Sequence, residues 1–396
     1  MNQYSQYFTN NIYSKLLIDN IDISEPKLVL DLGIGDGALT KAAILKWANA
    51  KFLAIDVDKE KCNSMKHFSN KIKIIQQDGL APDLKQKIHI NVDSVDVAIC
   101  NPPYQQINNN ETLFELFNTS SLYSCCNLKR ISSDIIFLAH NLSLLRQGGY
   151  LGIILPDGIL TRKDFTSLRK DLIENHTIKH IIQLPDGIFE KTEARTHIII
   201  LCKGKSHYKT IPISLADRDG KYVRQLEIPK EKLIDRMDFT FHLWKQEHPL
   251  HETAEISIDI QISRGSYSHK ELRNLYSEYF HSTHFKNAIR HSFISHNYEN
   301  NKIIAQKGDI LMIRVGKRCA GKTTIVTRGN IIISDCIYRI RVDKKYQLLI
   351  WKHFNSPEGK KWLQIISHGV CSKVISKVDL LLYIQQLIIS YTKNLR

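Results

Sequence analysis

Apolar positions in the first 205 residues fall into short β-branched runs separated by stretches of helical spacing. The runs at 27–33, 51–57, 71–78, 95–101, 150–156, 180–186 and 195–203 read as strands. Between two of them, Ile135, Leu138, Leu142 and Leu145 share one helical face, and Gln147-Gly148-Gly149 closes that helix. This alternation predicts an α/β fold, a doubly wound, Rossmann-like sheet of seven strands. Residues 204–260 lose the rhythm; Lys203-Gly204-Lys205-Ser206-His207 and the region around Pro229 read as connector, which places a boundary near 235 and divides the chain into 1–235 and 236–396. In the second part, 309–315, 323–327, 331–334 and 336–342 read as short strands broken by Gly316, Gly321 and Gly329-Asn330. That pattern predicts a smaller, mostly β (α+β) domain. Leu380, Leu381, Ile384, Leu387, Ile388 and Tyr391 then mark a terminal amphipathic helix that must dock on something.

Composition narrows the class. The chain has 396 residues, 43% of them hydrophobic and 24% charged, a globular balance. Its longest apolar runs fall short of the ~18 residues that span a bilayer, and the start, Met1-Asn2-Gln3-Tyr4-Ser5-Gln6, lacks the features of a signal peptide. Eight Cys without a Cys-x-x-Cys pair read as reduced thiols. The expectation is a cytoplasmic protein without a membrane partner. The 17 His show no metal-ligand spacing, so no metal is expected. The net charge of +15 is unevenly spread: residues 236–396 hold 25 Lys or Arg against 13 Asp or Glu, whereas 1–235 hold 30 against 27. Basic residues concentrated on one domain point to a polyanion, nucleic acid first.

The first strand runs into Asp31-Leu32-Gly33-Ile34-Gly35-Asp36-Gly37. Gly33, Gly35 and Gly37 permit a tight turn and let a ligand approach the backbone beside a helix N-terminus. The acidic Asp31 suits a positively charged amine better than a pyrophosphate. Asp56, at the end of the second strand, is placed to grip ribose hydroxyls. A cationic amino-acid nucleoside, S-adenosylmethionine, fits both. Asp78, at the end of the third, can accept the ligand's adenine amine or simply cap the following turn.

The fourth strand leads straight into Asn101-Pro102-Pro103-Tyr104. Two prolines fix φ and remove two donors, so the Asn101 side chain and the Pro102 carbonyl are held at the sheet's edge. Both can accept from one exocyclic amine, turning its lone pair toward a methyl group, while Tyr104 offers a ring on which a base stacks once it has left the duplex.

Taken in order, these motifs resemble the amino-methylating, S-adenosylmethionine-dependent methyltransferases. With the basic region C-terminal, they resemble the γ class of adenine-N(6)-specific DNA methyltransferases. The resemblance implies that Gln6-Tyr7-Phe8-Thr9 closes over the cofactor, with Tyr7 and Thr9 as contacts. Leu184–Glu190 followed by 195–201 resembles type I modification subunits and implies that Phe189 is a second aromatic on the extruded adenine. Gly308–Gly316 and 331–342 resemble the target-recognition domains of type I specificity subunits. The implied partners are double-stranded DNA and either a homodimer or a separate specificity or restriction subunit. Rival readings are the same chemistry on cytosine, RNA or a protein glutamine, and a non-catalytic DNA-binding subunit.

Gly316-Lys317-Arg318-Cys319-Ala320-Gly321-Lys322-Thr323 matches the P-loop pattern, but the β-branched stretch after it reads as a strand, where a phosphate loop needs a helix. It is expected to be a basic hairpin with Arg314, Lys317, Arg318 and Lys322 as DNA contacts.

Overall fold

The computed structural model describes residues 10–66, 68–128, 130–188, 195–247, 259–285, 290–298, 302–316, 318–368 and 372–393. Tyr7, Thr9, Phe189 and Lys317 lie outside the described residues. The chain divides into two units, Met1–Leu243 and Trp244–Arg396, eight residues beyond the expected boundary. Among the described residues no helix is long and apolar enough to cross a membrane.

The first unit begins with α1 (Asn11–Asp19), capped by the Asn10 side chain. It continues through β1 (Leu28–Leu32), α2 (Ala38–Lys46), β2 (Lys51–Asp56), α3 (Lys59–Met65), β3 (Ile72–Gln76), α4 (Leu84–Lys87) and β4 (Val95–Cys100). A small antiparallel ribbon, β5 (Gln106–Asn108) with β6 (Arg130–Ser132), brackets α5 (Phe114–Thr119) and leads into α6 (Ser133–Leu144). Then come β7 (Leu145–Pro156), α7 (Asp157–Thr161), α8 (Thr166–Asn175), β8 (His176–Gln183) and β9 (Thr196–Lys203). The unit closes with β10 (Thr210–Ala216), β11 (Tyr222–Pro229), α9 (Lys230–Asp235) and α10 (Phe239–Glu247), which runs across the division.

These strands form one sheet in the order β11-β10-β8-β9-β7-β4-β1-β2-β3, with β9 antiparallel to both neighbours. Alternate side chains leave opposite faces. Val29, Val97, Ile99, Ile198 and Ile200 pack with α1 and α2, while Leu30, Ala98, Cys100, Ile199 and Leu201 pack with α6 and α8. Burial on both faces explains the continuous apolar runs.

Among the described residues the expected seven-stranded sheet has nine strands, and the stretch that loses the rhythm supplies two of them. Pro212 argues against a central strand, yet β10 lies between β8 and β11. The tolerated proline pairs opposite Glu227 across the antiparallel side. The β10–β11 hairpin is closed by Asp217, whose Oδ1 accepts from the Asp219 and Lys221 N–H groups at 2.9 and 2.8 Å.

In the second unit, β12 (Ile260–Arg264), α11 (His269–Leu275), β13 (Arg290–Ser292), β14 (Ile304–Gln306), β15 (Ile310–Ile313), β16 (Val315–Gly316), β17 (Thr323–Arg328), β18 (Asn330–Ile332) and β19 (Ile337–Val342) precede α12 (Lys344–Asn355) and α13 (Pro357–Ile366). The short strands β20 (Ser367–His368) and β21 (Lys373–Ile375) lead to α14 (Lys377–Lys393). The main sheet runs β12-β19-β15-β17-β13. Ile310, Met312 and Ile340 pack on its helical side with Ile350, Phe354, Trp362 and Ile384; Leu311, Val326 and Ile337 pack on the other with Phe280. The domain expected to be mostly β (α+β) is α+β, but its described helices hold more residues than its described strands. The spacing of Tyr346, Ile350, Trp351 and Phe354, and of Trp362, Leu363 and Ile366, is what builds α12 and α13.

Candidate functional site

The strand order reverses between β1 and β4, and parallel sheets open a crevice at the carboxyl ends of the strands at such a point. There the structure brings Gly33, Gly35, Asp56, Asp78, Asn101 and Pro102 together around one cavity, with Gln77, Gly79, Gln105 and Phe137 completing its wall.

The Gly-rich turn is held from below. The Gly33 and Ile34 N–H groups both donate to the Ile55 carbonyl, at 2.8 and 3.0 Å, which ties the end of β1 to the end of β2. Gly37 is left-handed, φ 74°, at the N-cap of α2, and a Cβ there would meet Met65 at 2.4 Å. The left-handed φ favours glycine at that turn, and the Met65 side chain packs close against it. Asp56 accepts from the Gly35 N–H and the Asp58 N–H, each at 2.9 Å, so its carboxylate fixes the turn that it faces.

Asp31 is 1% exposed. Thr40 donates to its Oδ2 at 2.5 Å, and its buried Oδ1 has no hydrogen-bond partner among the described residues. Burial pushes its carboxyl up to about 7, the Asp56 charge adds to the shift, and the Thr40 bond opposes it. A buried carboxylate oxygen without a donor is costly, and a cationic ligand beside it would relieve that cost.

Asp78 is exposed, and its Oδ1 accepts from the Leu80 N–H at 2.9 Å, so it does cap the turn that follows β3. Cys100 is buried within β4 with its thiol donating to the Leu32 carbonyl at 3.0 Å, and burial pushes that thiol well up. It is a core residue.

Asn101 and Tyr104 are both half-buried, and the Tyr104 hydroxyl donates to Asn101 Oδ1 at 3.2 Å and to the Ile154 carbonyl at 3.5 Å. The two side chains read from the tetrapeptide are thus adjacent.

Two residues escape the sequence reading. Phe137, on α6, lies across the glycines of the cavity: a Cβ on Gly33 would meet its ring at 3.2 Å, and one on Gly79 at 2.6 Å. Ser133, one turn earlier, donates to the Pro103 carbonyl at 2.5 Å and accepts from the Gln105 N–H at 2.9 Å. A small residue immediately after Asp78, and an aromatic off the main apolar stripe of α6, were the available signals for the first. Ser133 had none.

In the second unit, Gly316–Thr323 leads into the strand β17, so the P-loop match is not a phosphate loop. Arg318 and Lys322 are exposed. Arg314 is placed differently from these two. It is half-buried, its Nε donates to the Asp335 carbonyl at 2.8 Å, and its guanidinium lies over Tyr338. It ties the sheet together.

Comparison with known proteins adds four findings. The profile of the N-6 DNA Methylase family matches residues 2–270. The MpnII type I restriction enzyme methylase subunit of Mycoplasma pneumoniae is 29% identical over 173 residues, covering 41% of this chain and 32% of that protein. A ribosomal RNA small subunit methyltransferase A of Mycoplasma capricolum is 31% identical over 123 residues, 30% of this chain and 45% of that one. The chain thus spans less than half the length of these curated relatives. Among solved structures, the type IIG restriction endonuclease BpuSI aligns over 90% of this chain and 56% of its own, with a TM-score of 0.51 and 12% identity, a likeness of fold alone.

Proposed function

The chain belongs to the N-6 DNA Methylase family, and from that premise we propose that it methylates the 6-amino group of adenine in double-stranded DNA at the expense of S-adenosylmethionine. The observation that carries this reading is that Asn101 and Pro102 open into the same cavity as the Gly-rich turn and Asp56. A ligand held by the turn and an amine held by the tetrapeptide would then meet in one space.

The residues fit the cofactor. The orphaned Asp31 oxygen suits its cationic amine end, Asp56 its ribose, and Asp78, beyond its turn cap, its adenine edge. When bound, S-adenosylmethionine supplies an activated methyl group. Asn101 Oδ1 and the Pro102 carbonyl accept the two amine protons and so direct the nitrogen lone pair, which makes positioning the main catalytic device. Tyr104 stacks the extruded adenine and shifts its hydroxyl bond from Asn101 to do so. Phe189, Tyr7 and Thr9 keep the roles that the family resemblance gives them. Arg318, Lys322 and Lys317 are the proposed phosphate contacts, on a second unit that serves target recognition. A separate specificity subunit of the kind that serves type I methylases, or a second copy of this chain, would complete a two-part DNA site.

The test is nucleoside mass spectrometry of DNA from a host without its own adenine methylation, expressing the wild type or Asn101→Ala. N6-methyladenine in DNA from the wild type alone is expected. Methylated adenine confined to ribosomal RNA, the substrate in the name of the Mycoplasma capricolum relative, would transfer the reading to RNA. Equal methylation by Asn101→Ala would remove Asn101 from the reaction.

A further inference from the structure

The rigidity of the catalytic tetrapeptide comes only in part from its prolines. Pro102 and Pro103 fix φ at their own positions, but nothing in the sequence fixes the two peptide units that flank Tyr104. One of those units presents the Pro103 carbonyl and the other the Gln105 N–H. A single side chain holds both: Ser133 Oγ donates to the Pro103 carbonyl at 2.5 Å and accepts from the Gln105 N–H at 2.9 Å. The Ser133 N–H closes the arrangement by donating to the Gln105 carbonyl at 2.8 Å. Beyond it the chain continues in antiparallel register, Gln106 opposite Ser132, Ile107 opposite Ile131 and Asn108 opposite Arg130.

Ser133 is fully buried, and its partners Pro103 and Gln105 are half-buried. It is the first residue of α6, and Phe137, one turn later on the same helix, forms the cavity wall against Gly33 and Gly79. One helix therefore touches both the tetrapeptide and the cofactor cavity.

We propose that Ser133 is a positioning residue for methyl transfer: its hydroxyl clamps the peptide units on either side of Tyr104, and so sets where the Tyr104 ring and the Asn101-Pro102 acceptors stand relative to the cavity. This rests on the methyltransferase reading given above. The clamp acts on the acceptor amine and its base while leaving the Gly-rich turn alone, so its loss separates turnover from cofactor affinity. Small displacements of reacting groups lower rates steeply, and a shift on the order of 1 Å lowers them about a hundredfold.

The experiment measures kcat for methylation of duplex DNA, the Kd for S-adenosylmethionine by calorimetry and the thermal midpoint, for the wild type, Ser133→Ala and Ser133→Cys. Fluorescence of 2-aminopurine at the target position reads base extrusion and stacking. Ser133→Ala is expected to lower kcat about tenfold to a hundredfold with cofactor Kd within twofold, and to leave the extruded base less quenched. Ser133→Cys keeps the size and weakens the donor, so an intermediate kcat is expected. Should Ser133→Ala fail to fold, Ser133→Cys decides alone: a kcat equal to the wild type overturns the proposal, as does an unchanged kcat in a folded Ser133→Ala. A wild type that methylates no DNA would instead overturn the underlying reading, before any variant is compared.

Discussion

Asp31 couples the Gly-rich turn to pH. Its carboxyl is raised to about 7 because burial disfavours the charge and Asp56 lies close by. In the unfolded chain it titrates at about 3.9. Between these values the folded, ligand-free protein holds a proton that the unfolded chain has released, so the stability contributed by this group falls as pH rises from about 4 to 7. A cationic amine beside Asp31 favours the ionised form, and binding below pH 7 must expel the proton. Affinity for S-adenosylmethionine should therefore improve about fivefold from pH 6 to pH 7 and level off above, as the ionised fraction does. Calorimetry across that range checks this. Asp31→Asn should bind more weakly with a flat profile, and a flat profile in the wild type would mean that Asp31 does not meet the amine.

At the scale of elements, three helices of the first unit are joined by a buried arginine. Arg169, on α8, is fully buried and donates to the carbonyls of Ile159, Arg162, Ile234 and Asp235 at 2.7–2.8 Å, and to the Thr166 hydroxyl at 3.1 Å. It thus fastens α7 and α9 to α8. Arg169→Met keeps the packing stem and strips four carbonyls of their donor, at about 1 kcal/mol each. A loss of about 4 kcal/mol in urea unfolding of the full chain is expected, and a change under about 1 kcal/mol would show that water satisfies these carbonyls instead.

This strut also marks where sequence reading ends. The strands β1, β2, β4, β7 and β9 are legible because burial on both faces makes their apolar runs continuous, and the cavity opens where those runs stop, at Gly33, Asp56 and Asn101. Strands β10 and β11 are not, since Pro212 breaks the first pattern and the outermost strand exposes Tyr222, Val223, Arg224 and Gln225 to solvent. Arg169 and Ser133 look like ordinary polar residues of helices. Their roles depend on carbonyls up to 66 residues away for Arg169 and 30 for Ser133, and no local pattern encodes such pairings.

Across the whole molecule, the uneven charge should set how affinity for DNA responds to salt. The second unit's excess of Lys and Arg predicts binding that weakens steeply with ionic strength, each neutralised phosphate contributing a slope of about −0.9 in log K against log salt. Geometry refines which residues contribute. Arg318 and Lys322 are exposed on the turn before β17, whereas Arg314 is half-buried, donating to the Asp335 carbonyl and lying over Tyr338. Arg318→Ala and Lys322→Ala should each reduce the slope by about 1 and weaken all duplex sequences alike, because phosphate contacts carry no sequence information. Arg314→Ala should leave the slope unchanged and lower the thermal midpoint. Fluorescence anisotropy with a labelled duplex at several salt concentrations separates the cases. A slope reduced as much by Arg314→Ala as by Lys322→Ala would return Arg314 to the DNA face. Three unchanged slopes would move the polyanion surface away from this turn, to basic residues elsewhere on the second unit.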